Sequence, residues 1–307
     1  NSAWTDEYSR NENCLYSAGA KIMSITGKTR VCGVIGDPIE HSLSPIMHNA
    51  AFNSLKLDYA FLAFKVKSAE VGNAINGMRA LGIVGLNVTM PHKKSVISHL
   101  DEIDQTAKFL NAVNTIHNKN GKLLGFNTDG VGALKALREN GVEPKGRKVL
   151  LLGAGGAARA IAYAMAKESD ELAVLNRTVK PAQELVKLLE KTANKKIVAG
   201  ALSPKEIQQN LQDSDILINA TSIGMKPKAD ESLVAPKLLR PDLAVMDIVY
   251  NPIETKLAKD AKAAGAKVVS GVEMLIYQGA ASFEIWTGKS APVEVMRQAA
   301  LNHLQKV

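Results

Sequence analysis

Residues 149–159 read VLLLGAGGAAR, and this stretch decides the fold. Four consecutive apolar residues match a strand buried on both faces of a parallel sheet, where the pattern is continuous rather than alternating. A glycine-rich turn follows. Behind it, 159–166 (RAIAYAMA) is dominated by strong helix formers. Strand, glycine turn and helix in that order, with G-x-G-x-x-A spacing, predict a dinucleotide-binding turn. Gly153 permits the tight turn and Gly155 lets a pyrophosphate approach the backbone. Ala158 stands where a third glycine would let helix and strand pack. Ala154, Gly156 and Ala157 complete the turn. The helix N-terminus offers free N–H groups and a positive dipole end to phosphates. A glycine turn also serves as a plain connector, but its place between strand and helix favours cofactor binding.

Strand patterns continue downstream at 172–177, 197–199, 216–220, 244–249 and 267–270. With the central strand they predict a Rossmann-like, doubly wound sheet of about six strands. NAD-binding proteins carry an acidic residue at the end of the second strand, roughly 20 residues past the turn. Here Asn176, Arg177 and Thr178 hold that place, Asn176 lying 23 residues beyond Gly153. A guanidinium and a hydroxyl would hold a 2′-phosphate that a carboxylate would repel, so NADP is expected over NAD. Lys180 adds charge. The bland reading is that Arg177 opens a solvated helix. Thr221, Met225, Val249 and Gly271 fall at or after strand ends, where a nicotinamide ring would sit; Met225 and Val249 fit a core equally well.

Upstream, strands at 31–36, 59–66 and 83–90 alternate with helices after Ser44-Pro45 and over 69–81. Ser44 reads as an N-cap with Pro45 in the first helical position. Such alternation argues for a parallel α/β sheet. Asn120-Gly121, between two short apolar runs, is a strong hairpin signal that closes this first unit. Asp129-Gly130 opens the next helix, and helices are expected at 271–286 and 293–304. The fold class is therefore α/β in two domains. An open α/β substrate domain spans 23–126, with C-terminal helices returning to it over 276–307, and the Rossmann-like NADP-binding domain spans 127–275. Residues 1–22, polar and mixed in charge, read as a disordered leader or tag remnant.

Composition narrows the partners. The chain has 307 residues, 46% hydrophobic and 22% charged, which is ordinary for a soluble globular protein. The net charge of +8 is spread along the chain without basic blocks or aromatic interleaving, so a small polyanion suits it and nucleic acid does not. No apolar run approaches a membrane span. Cys14 and Cys32 show no metal spacing or disulfide framework, compatible with a reducing cytoplasm. His41, His48, His92, His99, His117 and His303 offer no paired metal spacing, so no metal is expected.

Several stretches together resemble the shikimate dehydrogenase family. They are SLSP at 42–45, NVTMPHK at 87–93, AVNT at 112–115, GFNTDG at 125–130, GAGGAA at 153–158, NRT at 176–178, NATSIGM at 219–225 and YQGA at 277–280. The likeness runs from about Arg30 to the C-terminus. The Lys93 and Asp129 motifs are specific to the family; the glycine turn is not. The family often has glycine before the AVNT run, where this chain has Asn111. The resemblance implies NADPH-dependent reduction of 3-dehydroshikimate to shikimate in chorismate and aromatic amino-acid biosynthesis. It implies Ser42 and Ser44 for the substrate carboxylate, and Asn87, Thr89 and Asn114 for ring hydroxyls. Lys93 would be the proton-transfer group, Asp129 its partner, and Gln278 and Tyr250 further cleft residues. Each has a structural alternative. Ser44 and Asp129 are good N-caps, Lys93 could be a surface lysine beside Lys94, and Gln278 could sit half-buried at a domain seam. His92 competes as an acid, but the family pattern favours Lys93. Two other functions stay open: a quinate/shikimate dehydrogenase accepting NAD, and a non-catalytic NADP-binding sensor. Monomer and homodimer both remain possible.

Overall fold

A computed structural model describes residues 25–193 and 195–306; the expected leader at 1–22, with Cys14, lies outside them. Twelve strands form two six-stranded sheets among these residues. The second sheet comprises β7 (Lys148–Leu152), β8 (Glu171–Asn176), β9 (Lys196–Ala201), β10 (Ile216–Asn219), β11 (Ala244–Asp247) and β12 (Lys267–Ser270). All pairings are parallel, in the order β12-β11-β10-β7-β8-β9. The strand order reverses at β7, the switch point where such sheets bind ligands. β7 explains its own sequence. Val149 and Leu151 face a core shared with α5 (Gly156–Glu168) and α6 (Val179–Leu189), while Leu150 and Leu152 face another shared with α7 (Pro204–Gln212) and α8 (Lys256–Ala263). Both faces are buried, so no polar alternation survives.

The first sheet comprises β1 (Arg30–Gly36), β2 (Tyr59–Lys65), β3 (Gly85–Val88), β4 (Glu102–Ile103), β5 (Thr115–Lys119) and β6 (Lys122–Phe126), in the order β2-β1-β3-β5-β6-β4. It is mixed rather than parallel. β1 runs parallel to β2 and β3, but β5 runs antiparallel to β3 and to β6. The reason is the predicted hairpin: Asn120 (φ 55°) and Gly121 (φ 86°) both take positive φ, and a two-residue turn joins only antiparallel neighbours. Several elements escaped the sequence reading, among them α7, α8, β4 and a short helix, α3 (Gln105–Leu110). β4 is two residues long, and α3 is capped by Asp104, whose side chain accepts from Ala107 N–H at 2.8 Å. Asn111 ends α3 in the left-handed region at φ 50°. Asparagine tolerates that conformation better than other non-glycine residues.

The chain crosses from one sheet to the other twice. It first passes between β6 and α4 (Asp129–Glu139), then runs along α9 (Gly271–Thr287), which starts at the end of β12 and carries Phe283 and Trp286 into the first core beside α1 (Ser44–Ser54) and α10 (Val293–Leu304). The expected domain limit at 275/276 therefore falls inside a continuous helix. α4 packs on α5 and α9 through glycines. A Cβ on Gly130 would come within 2.6 Å of Ala160 O, and one on Gly132 within 2.7 Å of the Gln278 backbone. This close approach brings Asp129 and Gln278 to one place. Among the described residues no helix is long and apolar enough to cross a membrane.

Candidate active site

The C-terminal ends of β1 and β3, the start of α4, the loop after β11 and the face of α9 enclose a cavity of about 420 Å³. Ser42, Ser44, Asn87, Thr89, Lys93, Asn114, Asp129, Tyr250, Gly271 and Gln278 all line it, so residues far apart in the chain converge. His41 and Asp37 join them at the rim. Lys93 Nζ lies 2.6 Å from Asp129 Oδ2, with side chains 23% and 8% exposed. Asn114 Nδ2 donates to Asp129 Oδ1 at 2.8 Å and to Thr128 Oγ1 at 2.9 Å. Asn114 Oδ1 accepts from Thr128 N–H at 2.8 Å. The acid is thus gripped on both oxygens, and the lysine is not a surface residue.

Asn87 is 5% exposed. Its amide nitrogen donates to Ser282 Oγ at 3.0 Å and to Asn114 O and Thr115 Oγ1 at 3.3 Å. Its Oδ1 has no partner among the described residues. A buried acceptor left open at a cavity wall costs stability unless something fills it, so a ligand donor is the natural occupant. Gln278 Nε2 donates to Leu275 O at 2.8 Å, while its Oε1 receives only a long bond of 3.5 Å from Asn114. Burial pushes the Tyr250 phenol above its ordinary value. His92 does not line the cavity. It is fully buried, with Nε2 2.6 Å from Val66 O, a core arrangement rather than an acid's.

A second cavity, also about 420 Å³, is lined by Met90, Pro91, Lys93, Asn111, Gly156 and Arg159 among others. Lys93 borders both spaces, and the N-terminus of α5 opens onto the second. Gly153 has φ +110°, and a Cβ there would meet Ala220 O at 2.8 Å, so the turn itself requires glycine. Gly155 and Gly156 are exposed and face open space, which fits phosphate groups laid on the backbone. Ala157 is half-buried. Ala154 N–H donates to Asn176 Oδ1 at 3.1 Å and Asn176 Nδ2 donates to Thr178 O at 2.9 Å, so Asn176 braces the turn. Arg177 and Thr178 are exposed, and Arg177 has no ion-pair partner among the described residues. Thr221 Oγ1 donates to Asn219 Oδ1 at 2.8 Å. Met225 is 47% exposed and so is not core, whereas Val249 is buried. The donor set suits a phosphorylated dinucleotide, and among the described residues no group of three or more metal-ligating side chains occurs.

Comparison with known proteins identifies the family. The family descriptions "Shikimate dehydrogenase substrate binding domain", "Shikimate / quinate 5-dehydrogenase" and "Shikimate 5'-dehydrogenase C-terminal domain" match residues 34–116, 135–259 and 271–301. A shikimate dehydrogenase (NADP(+)) of Methanopyrus kandleri is 50% identical over 286 residues, covering 92% of this chain and 99% of the relative. The chain belongs to the shikimate dehydrogenase family. A crystal structure of shikimate dehydrogenase in complex with NADP+ superposes with a TM-score of 0.87 at 46% identity, covering 93% of this chain and 99% of the other. The Thermus thermophilus shikimate 5-dehydrogenase in complex with NADP(H) and shikimate gives 0.80 at 34% identity, covering 89% and 99%.

Within this member of the family, two capping expectations need correction. α1 begins on Ser44 itself, and the residue before it, Leu43, makes no side-chain cap. Ser42 Oγ accepts from Ser44 N–H at 3.3 Å, a turn contact just ahead of the helix. α4 likewise begins on Asp129, and no side chain caps it. The Asp129 carboxylate is taken by Lys93 and Asn114, since a charged donor outbids a backbone amide. Sequence reasoning missed Thr115, Thr128 and Ser282, whose hydroxyls brace Asn87 and Asn114; Thr115 and Ser282 lie 2.7 Å apart across 167 residues of chain. No local pattern signals that meeting.

Proposed function

We propose that this chain is an enzyme that reversibly reduces 3-dehydroshikimate to shikimate with NADPH, within aromatic biosynthesis. The observation that carries the reading is the Lys93–Asp129 pair, 2.6 Å apart and set on the boundary between the two cavities. NADPH, when bound, supplies the hydride for the carbonyl carbon. The new alkoxide oxygen then needs a proton, and Lys93 delivers it; in the reverse direction Lys93 removes it. Asp129 holds the ammonium by accepting from it, and Asn114 holds Asp129.

Ser42 and Ser44, at the N-terminus of α1, take the substrate carboxylate. Asn87 Oδ1 accepts from a ring hydroxyl, and Thr89, Asn114, Tyr250 and Gln278 complete the ring site. Gly153 to Ala157 hold the cofactor pyrophosphate. Arg177 and Thr178 hold its 2′-phosphate, with Asn176 bracing them, which disfavours the quinate and NAD alternative. Thr221, Met225, Val249 and Gly271 border the nicotinamide. We take the substrate domain as 23–126 with 276–307 and the cofactor domain as 127–275, with α9 running through the second limit and serving both. Dispersed basic charge supports a small anionic partner rather than nucleic acid; we take the enzyme as a cytoplasmic monomer or homodimer with no membrane partner. The test is a spectrophotometric screen of shikimate and quinate against NADP+ and NAD+. Rapid reduction of NADP+ by shikimate is expected; binding of NADP+ without turnover of either acid would restore the sensor reading.

A further inference from the structure

Asp247, the last residue of β11, is 2% exposed and lines neither cavity of the site. Its Oδ1 accepts from Asn219 Nδ2 at 2.9 Å and from Val249 N–H at 3.1 Å, and its Oδ2 accepts from Thr255 Oγ1 at 2.6 Å. Asn219 passes the constraint on, its Oδ1 accepting from both the amide and the hydroxyl of Thr221 at 3.1 and 2.8 Å. No cation pairs with this carboxylate among the described residues. Burial pushes it up from its ordinary value, while the three donors act the other way. The adjacent N-terminus of α8, capped by Thr255, supplies the compensating positive dipole end. Gly271 closes the arrangement: a Cβ there would sit 2.5 Å from Ile248 C and O, so the start of α9 rests on the 248–249 backbone. One buried acid thus ties the strand end that carries Thr221 to the loop at Val249 and to the start of α8, and Gly271 rests on that same loop.

We infer that Asp247 is the positioning residue for the wall on which the nicotinamide end of the cofactor rests. This deepens the functional reading above and rests on it. The acid touches neither substrate nor cofactor; it sets the register of three loops whose placement decides how the ring meets the substrate. Small misplacements of reacting groups carry large rate costs.

The test compares wild type with Asp247→Asn, Thr255→Val and Thr255→Ser. Asn converts one acceptor into a donor that faces donors. In Asp247→Asn, kcat is expected to fall by about tenfold to a hundredfold. The dissociation constant of NADPH should stay within about threefold, because the phosphate contacts lie elsewhere. The enhanced fluorescence of bound NADPH, which reports an immobilised nicotinamide, should drop. Thr255→Val should change these readouts in the same direction and carries the argument if Asp247→Asn fails to fold; Thr255→Ser should match wild type. A lowered melting temperature with kcat, affinity and emission unchanged would make Asp247 merely structural and overturn the inference. A wild-type protein that neither binds NADPH nor oxidises shikimate would overturn the functional reading first, and this inference with it.

Discussion

His48 makes acid stability a sharp test of the first core. The ring sits on α1, fully buried, stacked on Phe61 at 4.4 Å between centroids and close to Phe52, Phe283 and Trp286. Neither ring nitrogen has a partner among the described residues. Burial pushes its pKa down to about 3. In the unfolded chain the imidazole takes a proton near 6.5. The folded pKa is therefore depressed. The neutral core is fully favourable above pH ~6.5, and the unfolded state gains by binding a proton as pH falls toward 3. Well below pH 6.5 each pH unit costs about 1.4 kcal/mol, so roughly 2 kcal/mol is lost between pH 6.5 and 4.5. The variant His48→Leu removes the titration and also the unpartnered nitrogens. Urea unfolding of both proteins at pH 7, 5.5 and 4.5 isolates the term, because the carboxylates common to both cancel. The stability difference in favour of the variant should widen by roughly 2 to 3 kcal/mol across the range. A difference that stays constant with pH would refute the reasoning.

Other outcomes follow from the site. Lys93→Ala should lower kcat by about a hundredfold or more in the shikimate–NADP+ assay, with the KM for NADP+ changed little. Arg177→Ala should raise the KM for NADP+ about tenfold and leave that for NAD+ unchanged, measured side by side. Gly153→Ala should cost roughly 2 kcal/mol or more in a denaturation experiment, because the residue has φ +110° and its Cβ would press on Ala220 O. Gly155→Ala faces open space, so its melting temperature should hold while cofactor affinity falls.

What the sequence revealed depended on how local the cause was. β7 was legible because burial on both faces is written into four adjacent residues, and the β5–β6 turn because Asn120-Gly121 alone dictates it. β4 has too few residues to show a period. The capping expected of Ser44 and Asp129 did not form, because each helix begins on the residue itself and the acid is claimed by Lys93 and Asn114. Lys93 itself read as no more than a lysine beside a lysine until the family motif was considered, because its partner is 36 residues away. Ser282 and Asp247 act through contacts that no spacing rule anticipates.

The seventeen residues of α9 make a rod of about 25 Å. One end bears on the backbone at Ile248 and Val249; the other is wedged among the aromatic rings under the first sheet. The two halves of the molecule are therefore mounted on a common axle. A shaft of this length, fixed at both ends, couples the backbone at Ile248 and Val249 to the aromatic core of the first sheet.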